Sequence, residues 1–276
     1  HRKELSGVLA GLFRVIKITQ DDAHIFCSLD KIEQEMNSIF ELIKIIFKET
    51  FNFEYSMEFS TRPEKFMGNK DDWNIAENAL ENVLKKAKIK YKSNKGEGAF
   101  YGPKIDLHIK DSLGRSWQCA TIQLDMQMPK RFELEYTGKD NKIYTPILIH
   151  RAIFGSLERF IGILLEHLNG NLPIWLNPVQ IRVLSFTNRN LKYSQNIYDE
   201  FKKEGFRVDN DFRDVTIDAK VRDAELMKIP YIIVAGDKEE KAKTIAIRKR
   251  GVKKVDFGAK LDKFINDLKI EINERK

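Results

Sequence analysis

His150-Arg151-Ala152-Ile153-Phe154-Gly155-Ser156-Leu157-Glu158-Arg159 is the stretch on which the reading of the fold turns. Residues 144–149 before it read as a strand, and an apolar run from about Gly155 to His167 after it reads as a helix, so a strand passes into a helix here. Two side chains are out of place in a plain junction. Glu158-Arg159 interrupts a run from Ala152 to Leu165 that is otherwise mostly apolar, and a guanidinium carried inside such a run needs an anion. His150 ends the strand, where an imidazole can ligate a metal or simply sit hydrogen-bonded in a core.

Towards the N-terminus, Ile105, Leu107 and Ile109 alternate with Asp106, His108 and Lys110, and residues 111–115 read as a hairpin connection into a strand from Trp117 to Met126. Two adjacent strands joined by a tight turn predict an antiparallel sheet. Ile32, Met36, Ile39, Phe40, Ile43, Ile46 and Phe47 repeat at helical spacing, with Asp30 and Glu33 placed as a capping-box pair. Phe53, Tyr55, Met57 and Phe59 alternate as a strand does, and residues 71–89 return to the helical period. Towards the C-terminus, residues 169–178 collect two prolines, a glycine and three asparagines, which sets a domain boundary and predicts domains at 1–172 and 173–276. Beyond it the order is strand 180–186, helix 191–204, strand 206–211, helix 217–228, strands 231–235 and 244–249, and helix 259–273. That βαβαββα order predicts a small α/β domain with a mixed sheet.

With 276 residues and 42% hydrophobic content, the chain has material for about two domains. No stretch approaches the roughly 18 consecutive apolar residues of a membrane span. Two cysteines, Cys27 and Cys119, are too few for a disulfide framework, which predicts a cytoplasmic protein. The chain opens at His1 within a charged stretch, which suggests part of a longer protein. Its net charge of +7 lies almost wholly in residues 178–276, with 23 Lys and Arg against 17 Asp and Glu. Residues 238–254 carry eight of those cations against Glu239 and Glu240 at their start, a density able to neutralise several phosphates or to form a solvated surface.

Residues 19–26 (Thr-Gln-Asp-Asp-Ala-His-Ile-Phe) pack amide, carboxylate and imidazole groups beside apolar ones, which a core strand does not require. His24 is a second candidate metal ligand. Arg2, Arg14 and Arg159 suit bidentate binding of phosphate or carboxylate, or surface charge.

At these residues the sequence resembles the threonyl-tRNA synthetases. The carriers are residues 1–4 (His-Arg-Lys-Glu), Ser6-Gly7, the segment 19–26, residues 60–64 (Ser-Thr-Arg-Pro-Glu), residues 96–104 (Gly-Glu-Gly-Ala-Phe-Tyr-Gly-Pro-Lys) and the opening stretch 150–159. The opening of the chain looks like the second signature motif of class II synthetases, entered partway through, and Gly155 to Arg159 like the third. The resemblance implies an α/β chain: a class II antiparallel sheet with flanking helices, then an anticodon-binding domain. It implies an ATP-dependent ligase that activates threonine and transfers it to tRNA(Thr), a homodimer in its full-length form.

By the same resemblance, Arg2 and Arg159 serve catalysis at the ATP α-phosphate, with Glu4, Arg14, Gln118 and Thr121 around the nucleotide and its Mg²⁺. Gln20, Asp22, Tyr101 and Lys104 line the threonine pocket. Zn²⁺ is implied on His24, His150 and a cysteine upstream of this chain, which gives Cys27 no role. Without that cysteine and the first signature motif, residues 1–276 alone are expected to aminoacylate little or not at all. Arg222, Glu239 and Arg248 match residues that read anticodon bases, while Asp214 stands where the pattern usually has asparagine. Val15-Ile16-Lys17-Ile18 also departs, because arginine, glycine and phenylalanine usually follow that valine. The alternatives are a catalytically inactive RNA-binding paralogue and a related class II enzyme for another amino acid.

Overall fold

Alternating apolar and polar residues build a six-stranded sheet from β1 (Ala23–Cys27), β2 (Tyr55–Ser60), β3 (Tyr91–Asn94), β4 (Lys104–Lys110), β5 (Ser116–Asp125) and, after a small hairpin of β6 (Tyr136–Thr137) with β7 (Ile143–Tyr144), β8 (Ile147–Ala152). The strand order is β1-β8-β5-β4-β2-β3, antiparallel throughout except for the parallel β2–β3 pair. The computed structural model describes residues 1–275. The chain divides into two units, His1–His167 and Leu168–Lys276.

In the first unit the helices are α1 (Ile32–Ile43), continued by π-helical turns over Lys44–Thr50, then α2 (Lys70–Lys86), α3 (Met128–Arg131) and α4 (Leu157–His167). Ile32, Met36, Ile39 and Ile43 of α1 and Leu80, Val83 and Leu84 of α2 are buried, as the spacing predicts; Trp73 joins them, whereas Ile75, in the same periodic run, is 42% exposed. Phe160 of α4 meets Phe47, Phe51, Phe53 and Phe154 at ring centroids 4.5 to 6.3 Å apart, an aromatic core against the sheet's buried β4 and β5 residues Ile105, Leu107, Ile109, Ile122 and Leu124.

Residues 23–27, whose polar groups a core strand does not require, form an edge strand, which has one neighbour and tolerates polar side chains on its open face. Three expectations need correction. The Asp30/Glu33 capping box is not made: α1 is entered through a 3₁₀ turn at Leu29–Lys31, and Asp30 instead accepts from the Ser28 hydroxyl. The strand expected at 144–149 begins at Ile147, because Ile143 and Tyr144 pair with Thr137 and Tyr136. The helix expected from Gly155 begins at Leu157; Gly155 itself has φ +65°, and a Cβ there would lie 2.8 Å from the Cys119 carbonyl oxygen.

The second unit runs β9 (Ile181–Ser185), α5 (Leu191–Lys203), β10 (Val208–Asp211), α6 (Ile217–Leu226), β11 (Tyr231–Ala235), α7 (Asp237–Ala242), β12 (Ile245–Lys249), β13 (Asp256–Ala259) and α8 (Leu261–Asn273). Its sheet order is β10-β9-β11-β12-β13, parallel over the first three strands and antiparallel over the last two pairs. The mixed α/β reading therefore holds, with β3, α7 and β13 added to what periodicity predicted. Ile233, Ile245 and Ile247 face α5 and α8 through Phe201 and Phe264, while Ile232, Val234 and Ala246 face α6 through Val221 and Ala224. Among the described residues no helix is long and apolar enough to cross a membrane.

Candidate functional site

Register across the first sheet brings together residues scattered over the sequence. Lys104 lies opposite Gln123, Gln123 opposite His150, and His150 opposite His24, a single polar row over four strands. Odd-numbered residues of β4 go to the core, so Lys104 and Asp106 share the other face. The His24 and His150 rings meet edge to face with centroids 4.9 Å apart. Tyr101 packs 5.5 Å from His150, and its hydroxyl donates to Gln123 Oε1. Burial, with the charges of Asp125 and Asp22, raises the Tyr101 pKa, so it remains a donor. Gln20, Asp22, Tyr101, Gln123 and the histidine pair line a cavity of about 260 Å³.

Asp125 was not anticipated, yet it fixes His150: its buried carboxylate lies 3.0 Å from His150 Nε2 while accepting from the Gln127 and Met128 amides at 2.7 and 2.9 Å. In sequence Asp125 only continues the polar alternation of Thr121 and Gln123 along β5, so nothing marked it out. No group of three or more His, Cys, Asp or Glu side chains able to hold a metal occurs among the described residues. Cys27 is three residues from His24 on the same strand and so points to the opposite face. Burial and the charges of Glu35 and Asp30 push its thiol up to about 11, and burial pushes Cys119 up to about 12.

Gln118 and Thr121 would point to opposite faces of a regular strand. A bulge in β5, where Asp106 pairs with Thr121 but His108 with Gln118, turns both towards Asp106. Asp106 accepts from Gln118 Nε2 at 2.7 Å and Thr121 Oγ1 at 2.9 Å, and its second oxygen lies 2.7 Å from Lys104 Nζ. Lys104 thus spends its charge on Asp106, an orienting residue that the sequence reading did not single out.

Arg2, Glu4, Arg14 and Arg159 line a second cavity of about 200 Å³. Glu4 pairs with Arg14 at 2.9 Å. Arg159 donates through Nε to the Phe13 carbonyl at 2.9 Å and stacks over Trp117 at 5.7 Å, with no carboxylate partner among the described residues. Asp21 ties the neighbouring segment down, accepting from the Ile153 and Phe154 amides at 2.9 and 3.0 Å and from Arg151 at 3.3 Å.

Glu158, at the first turn of α4, accepts the Thr19 amide at 3.0 and 3.1 Å and the Ser156 hydroxyl at 2.9 Å. Hydrogen bonds from its own backbone amide and from Thr19 hold its carboxyl down at about 2. A depressed pKa means that this tie is present above the ordinary value of 4.5 and is released as pH falls towards 2. The Thr19 amide resonance is therefore expected to titrate with a midpoint near 2. A midpoint at the ordinary carboxylate value would show that Glu158 does not hold the 19–22 segment.

In the second unit, Glu239 and Arg248 line one cavity of about 410 Å³. Arg222 lies exposed on α6 and Asp214 in the β10–α6 connection, so neither shares that cavity's lining. Glu239 is pre-oriented, one oxygen accepting the Gly236 amide at 3.2 Å, and Arg248 has no side-chain partner among the described residues.

Comparison with known proteins follows this division. Residues 1–168 match the family model of the tRNA synthetase class II core domain (G, H, P, S and T), and residues 180–270 match that of the anticodon binding domain. The threonine–tRNA ligase of Clostridium tetani is 49% identical over 276 residues, and that of Carboxydothermus hydrogenoformans 50% identical over 277. The chain spans 43% of the length of each. A crystal structure described as the RNA binding domain of threonyl-tRNA synthetase from Cryptosporidium parvum superposes with a TM-score of 0.93 at 39% identity, covering 98% of this chain and 68% of that one.

Proposed function

We propose, from the premise that the chain belongs to the class II tRNA synthetases and among them to the threonyl-tRNA synthetase family, that it is the threonine-activating and anticodon-reading part of a cytoplasmic, homodimeric threonine–tRNA ligase. In the reaction a threonine carboxylate oxygen attacks the ATP α-phosphorus and pyrophosphate leaves. The terminal ribose hydroxyl of tRNA(Thr) then attacks the threonyl carbonyl and AMP leaves. No protein nucleophile is needed, so catalysis rests on positioning and on charge held ready for the transferring oxygens. Arg159 and Arg2 would supply that charge, the Glu4–Arg14 pair would border the nucleotide, and Asp106 would hold Gln118 and Thr121 in their places around ATP and its Mg²⁺.

The observation that carries the reading is the polar row His24, His150 and Gln123 with Tyr101 laid over it. Asp22 and Gln20 at its edge offer an acceptor for the threonine hydroxyl and a group for its amine. The two imidazoles fit a zinc ion as part of a ligand set: they face each other from neighbouring strands, and a buried carboxylate orients one of them, as outer-shell carboxylates do for zinc-bound histidine. The third protein ligand, a cysteine in the family, is not among the described residues. When bound there, zinc would act as a Lewis acid towards the amine and hydroxyl of threonine. Serine keeps the hydroxyl and is one methyl smaller, so this pocket would reject it weakly.

Amino-acid-dependent ATP–pyrophosphate exchange by the protein that carries this chain tests the reading, with threonine, serine and valine offered before and after chelation. Threonine-dependent exchange that excludes valine and declines on chelation is expected. Binding of tRNA(Thr) without exchange in the metal-loaded protein would replace the ligase by the inactive RNA-binding paralogue, with Ile16-Lys17-Ile18 as the first suspects.

A further inference from the structure

Asp72 has no place in the reaction, yet it is only 9% exposed at the first turn of α2 and gathers three donors on one oxygen. Lys130 Nζ lies at 2.6 Å, Asn69 Nδ2 at 3.0 Å and Gln127 Nε2 at 3.4 Å. A carboxylate drawn that far out of water is costly unless its partners are held in place. Two of the three partners belong to α3 and its N-cap, the turn that follows β5.

The same turn serves the histidine pair. The chain folds into α3 around Asp125, whose Oδ1 accepts the Gln127 and Met128 amides at 2.7 and 2.9 Å, while its Oδ2 meets His150 Nε2 at 3.0 Å. Gln127 therefore gives its backbone amide to Asp125 and its side chain to Asp72. Gly68 makes room for that side chain: it takes φ +84°, and a Cβ there would overlap the Gln127 amide group. The segment before α2 is itself fixed, with the Trp73 indole donating to the Met67 carbonyl at 2.8 Å and the Asn69 side chain capping the helix through the Asp72 amide at 2.8 Å. The Met67 amide in turn donates at 2.7 Å to the carbonyl of Phe100, the residue before Tyr101.

Residues 67–72 thus hold two arms of the threonine pocket from outside it, Tyr101 through Phe100, and His150 through α3 and Asp125. We infer that Asp72, paired with Lys130, is a positioning residue for threonine selection: it fixes α3 so that the amides of residues 127 and 128 aim Asp125 at His150, and so keeps the two imidazoles in a metal-binding arrangement. This inference rests on the proposed zinc-assisted recognition of threonine. An ion pair that only steadied the start of α2 would contribute to stability and leave metal affinity alone, and that difference is measurable.

The test is a double-mutant cycle on the protein that carries this chain. It is read by the zinc affinity of the metal-free protein in competition with a chromophoric chelator, and by the KM values for threonine and ATP in pyrophosphate exchange. Asp72→Asn and Lys130→Met should each weaken zinc binding about 10-fold, the lower end of the loss for an outer-shell partner, and raise the threonine KM by a similar factor with the ATP KM unchanged. Lys130→Met leaves α2 and its cap untouched, and the lysine side chain is 46% exposed, so this variant keeps the fold. Because Asp72 acts through Asp125, Asp72→Asn should add nothing to the loss in Asp125→Asn. Zinc affinity unchanged in both single variants, or a loss that adds in full to that of Asp125→Asn, would overturn the positioning role and leave the zinc reading intact. A wild type that binds no zinc would overturn that reading and the inference with it.

Discussion

Arg159→Ala is expected to slow threonine-dependent ATP–pyrophosphate exchange by about 10³-fold, the loss typical of removing one preorganised donor from a site of developing negative charge. The guanidinium of Arg159 is anchored and still charged. Its Nε is held by the Phe13 carbonyl at 2.9 Å and its plane lies over Trp117 at 5.7 Å, which fixes the group without neutralising it. Arg115 stacks on the same indole at 5.5 Å, but its charge is spent on Asp111 and Glu166 at 2.5 and 2.9 Å. The two arginines should therefore separate in experiment: Arg159→Ala lowers turnover with the melting temperature nearly unchanged, whereas Arg115→Ala lowers stability more than turnover. Arg159→Lys should recover only part of the rate, because an ammonium cannot hold the carbonyl and the stack while presenting two further donors. Exchange within about tenfold of wild type in the alanine variant would reduce Arg159 to a packing residue and leave the charge to Arg2 and Arg14.

That contrast was half legible in the chain: Arg159 stands inside an apolar run and Arg115 in a turn beside Gly114 and Ser116, but that both meet Trp117 and only Arg115 meets carboxylates is brought about by the fold. What was legible is what period carries. The buried stripes of α1 and α2 and the alternation of β4 appear in the sequence as they do in the structure. Signals of period two fade on an open edge, where His24 and Phe26 are exposed on β1, so the sequence marked residues 19–26 by their chemistry and not by their element. The Asp30/Glu33 pattern was a true sequence match that lost to a competing local bond from Ser28. His24 and His150 were visible as isolated candidates, but their direct opposition is a property of strand register, 126 residues apart in the chain. Asp125, Asp106 and Asp21 were missed for the same reason: each is an ordinary acidic residue until folding surrounds it with donors.

His150→Ala should reduce the preference for threonine over valine by at least about 100-fold, since a site built around a hydroxyl rejects an isostere lacking it by about 10⁴-fold or more, whereas an apolar pocket favours the valine isostere. The substitution removes one of two opposed imidazoles and strands Asp125, whose carboxylate then faces the pocket without its partner. Zinc content of the purified protein should fall together with the preference, a readout that does not depend on turnover. Asp125→Asn gives the graded case. It keeps the volume and both imidazoles but replaces the carboxylate that orients His150, so zinc affinity should drop about 10- to 100-fold with the sheet intact. Cys27→Ser is the complementary control and should change neither property, because Cys27 projects from the other face of β1 and its thiol is held protonated by burial and by Glu35 and Asp30. Unchanged zinc content and continued exclusion of valine in His150→Ala would make the histidine pair a packing contact and shift hydroxyl recognition onto Asp22 and Gln20 alone.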